Sequence, residues 1–155
     1  MSREIEFRGL ATNGEYVYGS LVNNCVGLPG GIGQNTKTWI VTSAFGNGGW
    51  FNVRGRQYVK PETVGQYTGL LDCNGTKIFE GDIVRHYHFT DSRGKVNYLN
   101  HIVKWSDKFS SWFLMNSKSM SDTDGSVMLY QKFKERNYEV IGNIHQNPEL
   151  LEILK

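Results

Sequence analysis

Three histidines, His86, His88 and His101, form the grouping in this chain best equipped for chemistry. His86 and His88 stand two apart, so on a strand they share a face. If residues 83–89 pair with 99–105 about a turn near Gly94 and Lys95, His88 comes directly opposite His101. Three converging imidazoles would match the ligand count of a catalytic zinc centre. Slipping that register by one residue sends His101 to the other face. Val84, Val103 and Trp105 share the face, so the pattern equally suits histidines rimming a core, and no metal site is assigned. Glu80 and Asp82 flank Gly81 and could approach each other as an acid–base pair. Asp82 fits better as an acceptor of backbone N–H groups in a turn.

Other sites fail on spacing. Gly27–Gly33 (GLPGGIG) resembles a phosphate cradle but lacks the lysine and hydroxyl residue of a P-loop and any helical pattern after it. Asp122 and Asp124 resemble the start of a calcium loop whose remaining ligands are missing. No serine sits in a nucleophile elbow. Cys25 and Cys73 lack metal-type spacing and are read as reduced thiols. No catalytic residue, cofactor or small-molecule substrate follows from the residues, and the chain is read as a non-enzyme.

The remaining grouping is basic and aromatic. Arg54, Arg56 and Lys60 make the densest positive stretch, beside Trp50, Phe51 and Tyr58, and Arg85 and Lys104 stand near Tyr87 and Trp105. Aromatic rings can stack bases while cations hold phosphates, so these five cations are the candidate nucleic-acid contacts. The formal net charge of +2 does not require such a role. A β domain also needs many of these aromatics for its core.

The elements that would position these groups are mostly strands. Residues 3–8 alternate charged and apolar, Asn13-Gly14 signals a turn, and 15–22 return as a second strand. Strands are expected at 37–43, as two short pieces around Gly55 within 50–60, and at 63–67, 83–90, 98–105, 111–115 and 138–145. Residues 126–136 fit either a strand or a helix, and 117–125 form a polar loop. Asn147 as cap, Pro148 at the first helical position and Glu149 in the first turn predict a C-terminal helix. With 155 residues, 39% hydrophobic and 21% charged, the chain suits one globular domain. Eighteen glycines and 13% aromatics favour short strands and tight turns. The N-terminus does not read as a signal peptide, and no apolar run reaches the length of a membrane span.

The stretch 60–85 (KPETVGQYTGLLDCNGTKIFEGDIVR) resembles the hallmark of the YopX-like family of phage and prophage proteins. REIEFRG (3–9), VYGSLV (17–22) and EVIGNIHQNPELL (139–151) extend the resemblance over essentially the whole chain. Residues 27–49, 91–98 and 117–125 depart from it. The resemblance implies a bacterial cytoplasmic setting and carries over no catalytic residues. A glycine–aspartate step before a strand is typical of small SH3-like barrels. The expected architecture is therefore mostly β: an N-terminal β extension (1–60), an SH3-like barrel (61–146) and a short C-terminal helix (147–155). The expected function is that of a non-catalytic accessory protein that binds a protein partner or itself as an oligomer. A nucleic-acid-binding module and an enzyme of unrecognised type stand as alternatives.

Overall fold

The computed structural model describes residues 4–23, 38–47, 50–116, 127–128 and 138–154, with side chains for these except 43–47, 50–54, 116, 127–128 and 152–154. The chain divides into two compact units, Met1–Tyr67 and Thr68–Lys155. Strands dominate both, as the sequence predicts.

In the first unit, β1 (Phe7–Leu10), β2 (Tyr16–Asn23), β3 (Thr38–Asn47), β4 (Trp50–Tyr58) and the start of β5 (Gly65–Leu71) are joined in the order β4-β3-β2-β1-β5. Its buried side chains include Leu10, Ala11, Ile40, Val41, Val59 and Tyr67. Arg8 is also buried and lies 4.8 Å from the Tyr16 ring centroid, a charged core residue that hydrophobic patterning does not signal. Gly19 is required by close approach: an added Cβ would run into the Val41 carbonyl oxygen. The two pieces expected around Gly55 are one strand. Gly55, at φ +74°, lies within it, and the β3–β4 register is the same on either side, Val41↔Arg56 and Ser43↔Arg54. A 3₁₀ turn at Pro61–Thr63 precedes β5, and the Thr63 hydroxyl accepts the Leu10 N–H at 2.9 Å.

In the second unit, β5 continues and pairs with β6 (Lys77–Phe79). β7 (Asp82–Thr90), β8 (Val96–Ser106), β9 (Ser111–Asn116), β10 (Val127–Met128) and β11 (Tyr138–Asn143) form an antiparallel sheet in the order β10-β9-β8-β7-β11. Ile78, Val84, Val103, Leu114 and Tyr138 build its core. Among the described residues the strands form open antiparallel sheets, so the mostly β expectation holds but the closed SH3-like barrel is corrected. β7 ends its pairing at β11 on one side and β8 on the other, and no described pairing returns β10 to β11.

Two carboxylates hold the motif region together. Asp72 Oδ1 accepts the N–H groups of Asn74 and Thr76, each at 2.8 Å, while Oδ2 accepts Val140 N–H from β11 at 3.0 Å. Burial pushes the Asp72 carboxyl up, but these donors and the Thr76 hydroxyl outweigh it and leave it below its ordinary value. Asp82, almost fully buried, accepts Phe79 N–H at 2.8 Å, as the sequence suggested. Gly81, at φ +81°, makes the reversal: its N–H donates to Val103 and its carbonyl accepts Ile144 N–H.

The expected C-terminal helix is a 3₁₀ helix, Pro148–Leu154. Asn147 is turned back, its Oδ1 accepting Asn143 N–H at 3.3 Å, and Leu150 N–H closes on the Asn147 carbonyl in an i to i+3 bond. The capping group is thus spent on the strand end, and so short a segment cannot sustain an α-helix by itself. No helix among the described residues is long and apolar enough to cross a membrane. The loop at 27–33, the loop at 117–125 and most of the ambiguous 126–136 stretch lie outside the described residues.

Replacing Asp72 with Asn puts an amide N–H₂ against one of three backbone donors and should cost about 1–3 kcal/mol in urea unfolding. Because the folded carboxyl titrates below its ordinary value, its stabilisation is present above about pH 4 and is lost as pH falls through the folded value. The Asp72→Asn variant should therefore show a flatter acid limb in stability against pH. Gly142→Ala should destabilise by about 1–3 kcal/mol, since the new Cβ would stand 2.5 Å from Asn147 Oδ1 and 2.9 Å from Leu150 Cδ1.

Candidate interaction surface

Among the described residues, the β7–β8 hairpin extends past the pairings of its neighbours. The β11 pairing with β7 stops at Tyr138↔His86, and the β9 pairing with β8 starts at Asn116↔His101. Among the described residues, 87–99 therefore form a two-stranded ribbon. Its turn is set by Asp91, whose Oδ1 accepts the N–H groups of Arg93 and Lys95, each at 2.9 Å. Gly94 takes φ +79° within this loop. The turn thus centres on Asp91–Lys95, and the expected register is corrected: His101 lies opposite Val84, not His88.

A bulge between Tyr87 and Phe89 leaves His88 as the extra residue. It shifts the alternation, so that Tyr87, Thr90, Val96 and Tyr98 share one face while Phe89 takes the other. Tyr87 and Tyr98 are directly paired, each 48% exposed, and Tyr87 Oη lies 3.2 Å from Thr90 Oγ1. Phe89 and Val96 are exposed as well. At the base of this face the Arg85 guanidinium sits 4.9 Å from the Tyr98 ring centroid and 2.9 Å from Glu139 Oε2. Rings of this size exposed as a paired strip are characteristic of contact surfaces, because they bury much area at low entropic cost. The sequence pointed to Tyr87 among its aromatic candidates; its pairing with Tyr98 follows from the register and the bulge.

The five sequence-level cations separate between the units. In the first, Arg56 is exposed and lies 5.7 Å from the Trp39 ring centroid, which in turn meets Tyr58 edge-on at 5.9 Å. Lys60 is exposed beyond β4, and the Arg54 side chain lies outside the described residues. In the second, Arg85 is engaged by Glu139 and Tyr98, and exposed Lys104 lies on β8 within electrostatic reach of Glu80. Burial raises the Glu80 carboxyl above its ordinary value; the Trp105 N–H and Lys104 oppose that rise and Asp107 adds to it. Glu80 and Asp82 are thus each bound to backbone amides. No metal-holding cluster of three ligand side chains occurs among the described residues.

A family model described as YopX protein matches residues 7–152. The chain belongs to the YopX family. The crystal structure of protein EF1440 from Enterococcus faecalis is similar to this YopX-family chain, with 24% identity and a TM-score of 0.58. The match covers 97% of this chain and 99% of that one and establishes a shared fold. No curated protein matches the chain.

Arg85 and Glu139 are both part-exposed, so their ion pair should contribute under about 1 kcal/mol. Arg85→Gln should leave the urea midpoint nearly unchanged, which separates any effect on binding from an effect on folding.

Proposed function

We propose that this YopX-family chain is a non-catalytic phage or prophage accessory protein of the bacterial cytoplasm, acting by binding a protein. A second copy of itself is the first candidate partner. The paired, half-exposed Tyr87 and Tyr98 at the outer part of a ribbon carry this reading. Contact areas draw their affinity from aromatic anchors, and the nearest arginine is already neutralised by Glu139.

A second reading has its own support. Arg56 stacked over Trp39, with Tyr58 alongside, gives the first unit an exposed cation held on a ring. That arrangement can hold a phosphate and stack a base, as expected of a nucleic-acid-binding module.

Sedimentation equilibrium over a concentration series tests the first reading. An oligomer in the wild type that dissociates in Tyr87→Ser/Tyr98→Ser, with the melting temperature retained, supports it. A monomer at every concentration removes self-assembly. Salt-titrated binding to single- and double-stranded nucleic acid, lost in Arg56→Ala and kept in the tyrosine variant, would replace it with the second reading.

A further inference from the structure

The first unit carries a charge asymmetry that the net charge of the whole chain hides. Residues 7–60 hold five of the 17 lysines and arginines but only one of the 15 acidic residues, Glu15, a net +4 against +2 for the full chain. The strands of this stretch, β1 to β4, contain Arg8, Arg54 and Arg56 and no acidic residue.

The pairing registers sort the side chains of these strands by face. Val22 lies opposite Trp39 and Trp39 opposite Tyr58, while Ser20 lies opposite Val41 and Val41 opposite Arg56. Residues two apart on a strand share a face, so Tyr18, Ser20, Trp39, Arg56 and Tyr58 belong to one side of the sheet. Tyr18 is 46% exposed, Ser20 and Arg56 are exposed, and Trp39 and Tyr58 are partly exposed. The Arg56 guanidinium lies 5.7 Å from the Trp39 ring centroid, and Tyr58 meets the same indole edge-on at 75°. Tyr18 stands four residues along β2 from Val22, and so about 13 Å from the Trp39 row.

We propose that this face of β2, β3 and β4 binds single-stranded nucleic acid, with Tyr18 and the Trp39–Arg56–Tyr58 group as two base-stacking points. The inference rests on the nucleic-acid reading of the first unit and is independent of what the ribbon binds. A ring or a guanidinium plane stacks on the face of a base, which an unpaired strand presents. A duplex keeps its base faces inside its own stack and offers a protein its phosphates and groove edges. Duplex affinity therefore needs many cation–phosphate contacts. Among the described side chains of these strands Arg56 is the one exposed cation, Arg8 being buried. No acidic residue of the strands competes with a phosphate for it. Rings outnumber usable charges on this face, which favours the single strand.

Fluorescence anisotropy of the full-length chain tests the proposal. The probes are labelled single-stranded DNA and RNA of about 12 nucleotides and the same DNA annealed to its complement. The single strands should bind at least about tenfold tighter than the duplex. Tyr18→Ser should weaken single-strand binding about fivefold or more and leave its salt dependence unchanged, since it removes a stacking surface and no charge. Arg56→Ala should also flatten the slope of log K against log salt by about 0.7, the share of one phosphate contact. Equal or tighter binding of the duplex would overturn the single-strand assignment while keeping the nucleic-acid reading. No binding of any probe would remove both. Amide shifts of the wild-type chain titrated with the single strand supply a second test that needs no variant. They should cluster at 18–22, 39–41 and 56–58; shifts confined to Thr68–Lys155 would overturn the proposal.

Discussion

The Asp72 carboxylate is the interaction on which the second unit depends. One oxygen closes the β5–β6 turn through Asn74 and Thr76, and the other holds Val140 of β11, a strand 68 residues farther along the chain. A neutral residue could serve the turn or the strand, but only a charged carboxylate accepts all three amides without presenting a donor of its own. Asp82 repeats the device at the next reversal, taking the Phe79 amide while Gly81 links β8 to the end of β11. The stretch that most strongly marks the family is therefore a scaffold. Its carboxylates Asp72 and Asp82 are engaged by backbone amides, and its Ile78 and Val84 enter the core.

The same turn chemistry recurs where function is inferred. Asp72-Cys73-Asn74-Gly75-Thr76 and Asp91-Ser92-Arg93-Gly94-Lys95 share one pattern: a carboxylate accepting two amides ahead and a glycine at positive φ. The first copy is tied to β11 through its second oxygen. The second copy is exposed, and it sets the register that pairs Tyr87 with Tyr98. One local rule thus yields a joint tied to β11 in one place and an exposed hairpin turn in another.

Much of this was legible in the sequence. Alternating patterns located most strands, and the Asn13-Gly14 and Gly81-Asp82 signals marked real turns, since their residue types leave few backbone choices. The hairpin register expected from the sequence differs from the one observed. The expected turn near Gly94 and Lys95 lies within the observed Asp91–Lys95 turn, but the bulge at His88 has no signature in residue spacing. The C-terminal segment read as an α-helix because Asn147 looked like a free cap. Its side chain is bound to Asn143, a contact that only tertiary structure fixes. Tyr87 stood among the aromatic candidates beside Arg85, whereas its pairing with Tyr98 depends on the hairpin register, which only the structure fixes.

The account separates a rigid motif from a ribbon left available for contact. Amide hydrogen exchange of the full-length chain at low and high protein concentration tests that division most directly. The account predicts slow exchange at Phe79, Gly81, Val140 and Ile144 at both concentrations, with protection that grows with concentration confined to residues 87–98. Rapid exchange at those four amides would contradict the scaffold. Concentration-dependent protection outside the ribbon, or none within it, would contradict the ribbon as the surface of self-association.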